Sequence, residues 1–311
     1  MTEPWQIGVD LGGTKIEAVL MNGEGVQVSR KRVYTPPSDI TDRYHHIIGT
    51  ISQLIKDVST PIPKSEEYSL GIGIPGIIDP YTDIIINGSI KELIGSPFKS
   101  DIEKIFDKAI VIENDANCFT LAEAFSGAGK GFDTVFGITM GTGCGSALCI
   151  KGKIHKGRHG SAGEFGHMSI DPAGNKCFCG NNGCIETKIG GSGVERTHFL
   201  RTGQKLKMKD IIDGFHALDP ECSQTFNQFI EDFGCALGGL ISLLDPDVIV
   251  LGGGLSDINE LYSLGTEKIK QYTYHPNITT PIIKHKLGDS AGVFGAAWAG
   301  NNNLFHSCSA V

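Results

Sequence analysis

Short apolar runs bounded by glycine, proline or polar residues recur along the chain, and stretches with helical spacing separate several of them. The runs that predict strands are WQIGV (5–9), EAVLM (17–21), GVQVSRKRVYT (25–35), SLGIGI (69–74), AIVIE (109–113), FGITM (136–140), GSALCI (145–150) and DVIVLGGGLS (247–256). Helical spacing extends from a cap at Ser38 or Asp39 to Val58, and further helices are predicted near Asp115, over 223–243 and over 291–300. This alternation predicts an α/β fold.

Two segments repeat one pattern, a strand, a glycine turn and a second strand. DLGGTK joins strands 5–9 and 17–21, and GTGCG joins strands 136–140 and 145–150. The pairing suggests an internal duplication in which each half contributes one glycine hairpin to a shared cleft. With 311 residues the chain also exceeds the ~100–200 residues usual for one domain, so two domains are expected.

Composition narrows the function classes. The net charge of −8 argues against a basic surface that binds nucleic-acid phosphates or anionic lipid. A small-molecule partner is therefore favoured. The N-terminus lacks a secretion signal and no apolar run is long enough to span a bilayer, so a cytoplasmic protein is expected. Nine cysteines, three of them crowded together, then point to a metal rather than to disulfides.

Three glycine turns follow predicted strands: Gly12 with Gly13, Gly141 with Gly143, and the triplet 252–254. Backbone without a Cβ atom can approach an anion closely, and the amides of a tight turn can cradle phosphate oxygens. The alternative is that the glycines simply form hairpins. Thr14 and Thr142 place hydroxyls at matching positions, which favours nucleotide phosphate as the ligand. A valine at position 143 is therefore expected mainly to impair nucleotide binding.

The segment GEFGHMSIDPAGNKCFCGNNGCIET (163–187) concentrates metal-ligand residues. Cys177 and Cys179 form a knuckle, Cys184 returns after the turn GNNG, and His167 supplies a fourth donor. This is a closed Cys3His set of the kind that holds structural Zn²⁺; unrelated reduced cysteines are the alternative. A metal-bound histidine has a fixed ring direction, so zinc would serve as scaffold for a binding site.

Four polar residues are candidates for the chemistry. Glu164 and Glu186 bracket the cysteine segment and could accept hydrogen bonds from a polyol, although glutamates are more often solvated surface charges. Asn114 and Asp115 follow strand 109–113, at the kind of strand end where α/β enzymes place their chemistry. For Asp115 the alternative is a simple helix cap.

The motifs DLGGTK, GIGIPG, ENDAN, GTGCG, GEFGH, CFCGNNGCIE and DPDVIVLGGG occur in the order seen in the ROK family of sugar kinases and repressors, which the chain resembles over nearly its whole length. The resemblance implies a two-domain actin-like (RNase H-like, duplicated) ATPase fold in which nucleotide and sugar meet in the interdomain cleft. We expect a small domain of residues 1–117 with about 295–311, and a larger domain of residues 118–294 that carries the zinc site.

The resemblance also implies roles for matched residues. Asp115 would be the general base toward the sugar hydroxyl, and Asp10, Thr14 and Thr142 would face phosphate and Mg²⁺. The residues expected to bind the sugar are Gly76, Asn87, Asn114, Asp115, Glu164, His167 and Glu186. Those expected to bind the nucleotide are Asp10, Gly12, Gly13, Thr14, Lys15, Gly141, Thr142, Gly143, Gly253 and Gly254.

The implied activity is ATP-dependent phosphorylation of the primary hydroxyl of a hexose, and a homodimer is implied as well. The run DPYTDIIINGS (79–89) looks most like fructokinase and mannokinase members, whereas GEFGHMSI is equally similar to kinases of N-acetylglucosamine or N-acetylmannosamine. The family's DNA-binding repressors carry a helix-turn-helix ahead of the first strand, and the nine residues before Asp10 leave no room for one. A non-catalytic sugar sensor is the remaining alternative.

Overall fold

The computed structural model describes residues 4–301. Its strands are β1 (Trp5–Leu11), β2 (Lys15–Met21), β3 (Gln27–Tyr34), β4 (Tyr68–Ile74), β5 (Gly76–Ile78), β6 (Ile85–Gly88), β7 (Val111–Asn114), β8 (Thr134–Met140), β9 (Cys144–Ile150), β10 (Lys153–Ile154), β11 (Val248–Gly252) and β12 (Ile282–Lys284). Its α-helices are α1 (Arg43–Ser59), α2 (Phe98–Phe106), α3 (Asp115–Ser126), α4 (Glu186–Ile189), α5 (Gly191–Thr202), α6 (Met208–His216), α7 (Pro220–Leu244), α8 (Leu264–Tyr272) and α9 (Ala291–Gly300). Short 3-10 helices span Lys91–Leu93, Phe165–His167, Gly254–Asp257, Asn259–Leu261 and Gly288–Ser290.

The chain forms two compact units. Unit 1 contains the residues up to Phe125, the segment Gly152–Ala162 and the residues from Asp289 onward; unit 2 contains Ser126–Lys151 and Gly163–Gly288. The excursion of Gly152–Ala162 into unit 1 is not part of the domain division expected from the sequence. Of that expected division, residues 302–311 lie outside the part of the chain that the structure describes.

Unit 1 is built on a sheet with the order β3-β2-β1-β4-β7, in which β1 pairs antiparallel with β2 and parallel with β4. Helix α1 buries an apolar face that includes Ile47, Ile51 and Leu54. Helix α9 is rich in small residues because it lies very close to the sheet: a Cβ atom on Gly8 or Gly71 would overlap its backbone.

Unit 2 repeats the arrangement with the order β9-β8-β11-β12, where β8 pairs antiparallel with β9 and parallel with β11. The matching hairpins are those that the repeated glycine pattern predicts. Long helix α7 begins after Asp219, whose side chain accepts a hydrogen bond from the Cys222 amide at 2.8 Å. Its buried face includes three phenylalanines, so most of its stability comes from packing.

Two local expectations are wrong. Helix α1 begins at Arg43, because the residues after Ser38 form turns before the helix starts. The strand predicted over 247–256 ends at Gly252, because the chain enters a 3-10 helix at Gly254. Helix α7 is continuous through 236–239, where Gly238 allows α8 to approach: its Cβ atom would lie 2.6 Å from that of Tyr272.

Candidate active site

The turn between β1 and β2 divides its amides between two tasks. The Gly12 amide donates to the Lys15 carbonyl at 2.9 Å, and the Gly12 carbonyl accepts from the Thr35 hydroxyl at 2.7 Å, so Gly12 closes the turn. Among the described residues the amides of Gly13 and Thr14 have no backbone partner, and both residues are exposed. These two amides are the ones placed to meet an anion.

The turn between β8 and β9 has the same division. The Gly141 amide donates to the Gly143 carbonyl at 3.0 Å, while the amides of Thr142 and Gly143 have no backbone partner among the described residues. Helix α5 holds this turn from behind, since the amides of Gly191 and Ser192 donate to the carbonyls of Gly141 and Thr142 at 2.8 and 3.0 Å. Unit 2 therefore repeats the amide arrangement of unit 1.

The third glycine turn follows β11. Gly253 has a φ of 76°, and a Cβ atom there would overlap the Met140 carbonyl, so only glycine fits beside the end of β8. Gly254 is exposed, and a side chain there would meet no atom within 4 Å. Unit 2 thus carries two glycine turns with solvent-accessible residues at the ends of neighbouring strands, β8 and β11.

Asp10 lies beside the first turn and opposite Glu17 in the β1–β2 ladder. Burial raises the pKa of Asp10 to about 6; Glu17 adds to the rise and Arg32 opposes it. Glu17 is itself buried and ion-paired with Arg30 and Arg32. Because Arg32 does not offset the effects of burial and Glu17, the Asp10 carboxylate is a suitable neighbour for a Mg²⁺ ion that accompanies a nucleotide.

The junction of β7 and α3 settles which residue caps the helix. The Asn114 side chain accepts hydrogen bonds from the amides of Ala116 at 2.8 Å and Asn117 at 3.1 Å, and it donates to the Gly76 carbonyl at 3.0 Å. Asp115 is the first residue of α3 and also accepts from the Ala116 amide, at 2.8 Å. Since Asn114 provides the cap, capping does not by itself explain an aspartate at position 115.

Gly76 and Asn87 lie on a small two-stranded sheet next to this junction. Gly76 pairs with Gly88 and Ile77 with Asn87, and a Cβ atom on Gly76 would overlap the Asn87 carbonyl. Asn87 is exposed, and its side chain accepts a hydrogen bond from the Gly88 amide at 2.9 Å. In unit 1 the structure therefore groups Gly76, Asn114 and Asp115 at one place, with Asn87 on the adjoining strand.

The GEFGH segment (163–167) lies against β9 in unit 2. Gly163 has a φ of 89° and its Cβ atom would lie 2.9 Å from Ala147, while one on Gly166 would overlap the Cys144 carbonyl. The two glycines thus allow the close approach that places Glu164 and His167. Burial raises the pKa of Glu164, His167 opposes the rise, and Glu186 adds to it.

Glu186 links the glycine turn to the cysteine cluster. Its carboxylate accepts a hydrogen bond from the Cys144 amide at 3.1 Å and lies 4.0 Å from the Cys177 sulfur. A Cβ atom on Gly143 would overlap this carboxylate, with 3.2 Å to its Cδ atom. The structure adds a contact that the sequence-based prediction for Gly143 does not include: a side chain there would meet Glu186, an expected sugar ligand, within the protein itself.

The Cys3His set is assembled as the spacing predicts. Donor atoms of His167, Cys177, Cys179 and Cys184 all lie within 4.8 Å of one another, and the Cys179 and Cys184 sulfurs are 3.5 Å apart. Tetrahedral Zn²⁺ with Zn–S bonds of about 2.3 Å places sulfurs roughly 3.8 Å apart, so the set fits. Burial and the neighbouring thiols raise the pKa of Cys184 to about 12, and a bound cation would supply the charge that stabilises thiolates.

Sequence reasoning does not identify two features of these sites. Glu113 precedes Asn114 and is buried, and Lys156 forms an ion pair with it at 2.7 Å. The start of α5 supports the 141–143 turn, and a cluster of three glycines, at 190, 191 and 193, lies a few residues after Glu186 in the sequence. That glycine cluster was a readable signal, whereas nothing in the sequence pairs Glu113 with Lys156.

Comparison with known proteins supplies the context for these residues. A model of the ROK family matches residues 6–302. The chain is 33% identical over 300 residues to the N-acetyl-D-glucosamine kinase of Pectobacterium carotovorum, which covers 93% of this chain and 97% of that protein. It is 34% identical over 301 residues to the N-acetyl-D-glucosamine kinase of Mannheimia succiniciproducens, with the same coverage.

Solved structures of ROK proteins also resemble this chain. The ROK hexokinase from Thermus thermophilus superposes with a TM-score of 0.85 at 27% identity, covering 96% of this chain and 99% of that one. A ROK family glucokinase from Streptomyces griseus, solved with glucose and AMPPNP, gives a TM-score of 0.77 at 30% identity, covering 95% and 99%. The predicted actin-like α/β fold is thereby confirmed. Over the described residues, no helix has the length and apolarity needed to cross a membrane.

Proposed function

Because the chain belongs to the ROK family, we propose that it is an ATP-dependent sugar kinase whose acceptor is an N-acetylhexosamine, with N-acetylglucosamine first. The sequence alone favoured a fructose, mannose or glucose type and kept the N-acetylated sugars as the alternative. We place N-acetylglucosamine first because relatives named N-acetyl-D-glucosamine kinase are 33–34% identical over more than nine-tenths of the chain.

The observation that carries the catalytic proposal is the division of labour between Asn114 and Asp115. Asn114 caps α3 with its side chain and thereby fixes the first turn of the helix. Asp115 follows at the first helical position, where the positive end of the helix dipole favours an ionised carboxylate. An ionised carboxylate can accept the proton of the sugar's primary hydroxyl as that oxygen attacks the γ-phosphate.

The remaining site residues would bind the sugar and orient its acceptor hydroxyl. In unit 2, Glu164 and Glu186 offer carboxylate acceptors for sugar hydroxyls, and His167 offers a ring nitrogen. In unit 1, Gly76, Asn87 and Asn114 are the proposed sugar residues. Phosphoryl transfer depends mainly on alignment of the acceptor oxygen and on neutralisation of charge around the γ-phosphate.

The nucleotide would be held by the glycine turns. We assign the phosphate contacts to the amides of Gly13, Thr14, Thr142 and Gly143, whereas Gly12 and Gly141 shape the turns that present them. Asp10 would face the Mg²⁺ ion that accompanies ATP and neutralises phosphate charge. Lys15, Gly253 and Gly254 complete the proposed nucleotide set.

Zn²⁺ would be bound by His167, Cys177, Cys179 and Cys184, and when bound it supplies structural rigidity, not catalysis. With one ring nitrogen committed to the cation, the His167 ring has a fixed direction, so its other nitrogen can donate to a sugar hydroxyl. The homodimer implied by the resemblance stays a prediction.

A coupled assay for ADP release tests the proposal. Purified protein with MgATP is given N-acetylglucosamine, N-acetylmannosamine, glucose, mannose and fructose in turn, and kcat/KM is measured for each. We expect the highest value for N-acetylglucosamine. A clear preference for fructose or mannose would restore the original order, and sugar binding without ADP release would identify a sugar sensor.

A further inference from the structure

The segment Gly152–Ala162 brings a lysine to the junction that carries Asp115. Both neighbouring stretches of sequence belong to unit 2, yet this segment packs within unit 1. Within it, the Nζ atom of Lys156 lies 2.7 Å from the carboxylate of Glu113. Glu113 is the residue before Asn114 on β7, so the ion pair lies beside the proposed catalytic strand end.

Glu113 is buried, with 5% of its surface exposed, and its carboxylate makes polar contacts at this junction. One carboxylate oxygen accepts hydrogen bonds from the Asn117 side chain at 2.8 Å and from the Asn114 amide at 3.0 Å. The other oxygen takes the ion pair with Lys156. A buried carboxylate without a cation is costly, and the Lys156 ammonium offsets that cost for Glu113.

The contacts continue from Glu113 to the helix start. Asn114 caps α3, and Asn117, one turn along the same helix, gives its amide to that cap. Glu113 therefore holds the residue before Asp115 by its backbone and the residue two positions after it by its side chain. The two anchors thus lie on either side of Asp115 along the chain.

Lys156 lies at the start of a tight turn that ends at Ala162. The Lys156 carbonyl accepts a hydrogen bond from the Ala162 amide at 3.1 Å, which closes the segment on itself. Gly157 and Gly160 have φ values of 69° and 70°, which favour glycine. A Cβ atom on Gly160 would overlap the Ile78 carbonyl, so the turn lies directly on the strand that contains Gly76.

We propose that Lys156 and Glu113 are positioning residues for phosphoryl transfer: the ion pair holds the β7–α3 junction so that Asp115 meets the acceptor hydroxyl. The proposal rests on the proposed function, because the pair acts only by positioning Asp115, the proposed base. Displacement of a reacting group by about 1 Å can cost up to about 10²-fold in rate, so small movements of this junction matter.

Four variants test it. Lys156→Met removes the cation, Lys156→Arg retains it, and Glu113→Gln combined with Lys156→Met removes both charges while keeping an oxygen for Asn114 and Asn117. Lys153→Met is the matched control, because Lys153 lies in the same segment and forms no ion pair within the described residues.

We expect Lys156→Met to lower kcat at least tenfold with KM for ATP within about twofold of wild type. Lys156→Arg and the double variant should recover most of the loss, and Lys153→Met should match wild type. A folded Lys156→Met protein with lowered melting temperature and unchanged kcat would overturn the inference, since it would show a structural role alone.

Hydrogen exchange separates this inference from the proposed function. Exchange of the Asn114 and Asn117 amides should accelerate at least tenfold in Lys156→Met and stay unchanged in Lys153→Met. A wild-type protein inactive on every sugar would overturn the proposed function, while unchanged exchange at both amides in Lys156→Met would overturn the positioning role whatever the activity.

Discussion

Replacement of Gly143 by alanine tests how the two substrate regions of unit 2 are joined. The new Cβ atom would overlap the Glu186 carboxylate, which must move by about 1 Å to restore ordinary van der Waals separation. Because the overlap is with the end of a flexible side chain, the fold should tolerate the change. What is lost is the position of Glu186 and its hydrogen bond from the Cys144 amide.

The size of the effect follows from that hydrogen bond. A hydrogen bond to a charged group contributes about 1.5–3 kcal/mol, and each 1.4 kcal/mol is tenfold in an equilibrium constant. We therefore expect kcat/KM for the sugar to fall by roughly 10- to 100-fold in Gly143→Ala, mainly through KM for the sugar. Gly141→Ala is the comparison for the sugar alone: a side chain there meets nothing within 4 Å, so KM for the sugar should stay near the wild-type value whatever the effect on KM for ATP.

Steady-state kinetics with either substrate varied measure the effect. A double-mutant cycle with Glu186→Ala assigns it, since the cost of Gly143→Ala should disappear when Glu186 has no carboxylate to displace. If Gly143→Ala raised only KM for ATP, or cost the same without Glu186, the steric link between the turn and Glu186 would be refuted.

Two further outcomes are expected. Asp115→Asn should lower kcat by at least about 10²-fold while leaving the fold and ATP binding intact, because Asn114 provides the helix cap; kcat within a few-fold of wild type would move the base to another carboxylate, with Glu164 first. Protein purified without added metal should contain one Zn²⁺ per chain, and Cys179→Ser should lose it and raise KM for the sugar; an unchanged KM in the folded fraction would contradict the scaffold role of the metal.

Local sequence patterns are sufficient to predict much of the fold and part of the candidate site. The alternation of strands and helices, the two glycine hairpins and the Cys3His spacing are all visible in the sequence, because each depends on residues close together along the chain. For Asp115 the sequence left a catalytic role and a helix cap as alternatives. The structure gives the cap to Asn114, because a side chain before the first helical residue reaches the free amides.

Long-range packing accounts for what the sequence did not predict. The close approach of Glu186 to Gly143 brings together residues that are far apart in the sequence. The ion pair of Glu113 with Lys156 depends on the path of a turn. Neither leaves a periodic signal. The division of amides within each turn is also invisible in the sequence, since Gly12 and Gly13 are the same residue type with opposite hydrogen-bonding states.

Identification of the phosphorylated product tests the central claim most directly. Wild-type protein is incubated with MgATP and N-acetylglucosamine, and the product is examined by phosphorus-coupled NMR to locate the new ester. The account predicts a phosphate on the primary hydroxyl, with one ADP formed for each ester. A phosphate on the anomeric oxygen, or ADP formed without a sugar ester, would contradict it.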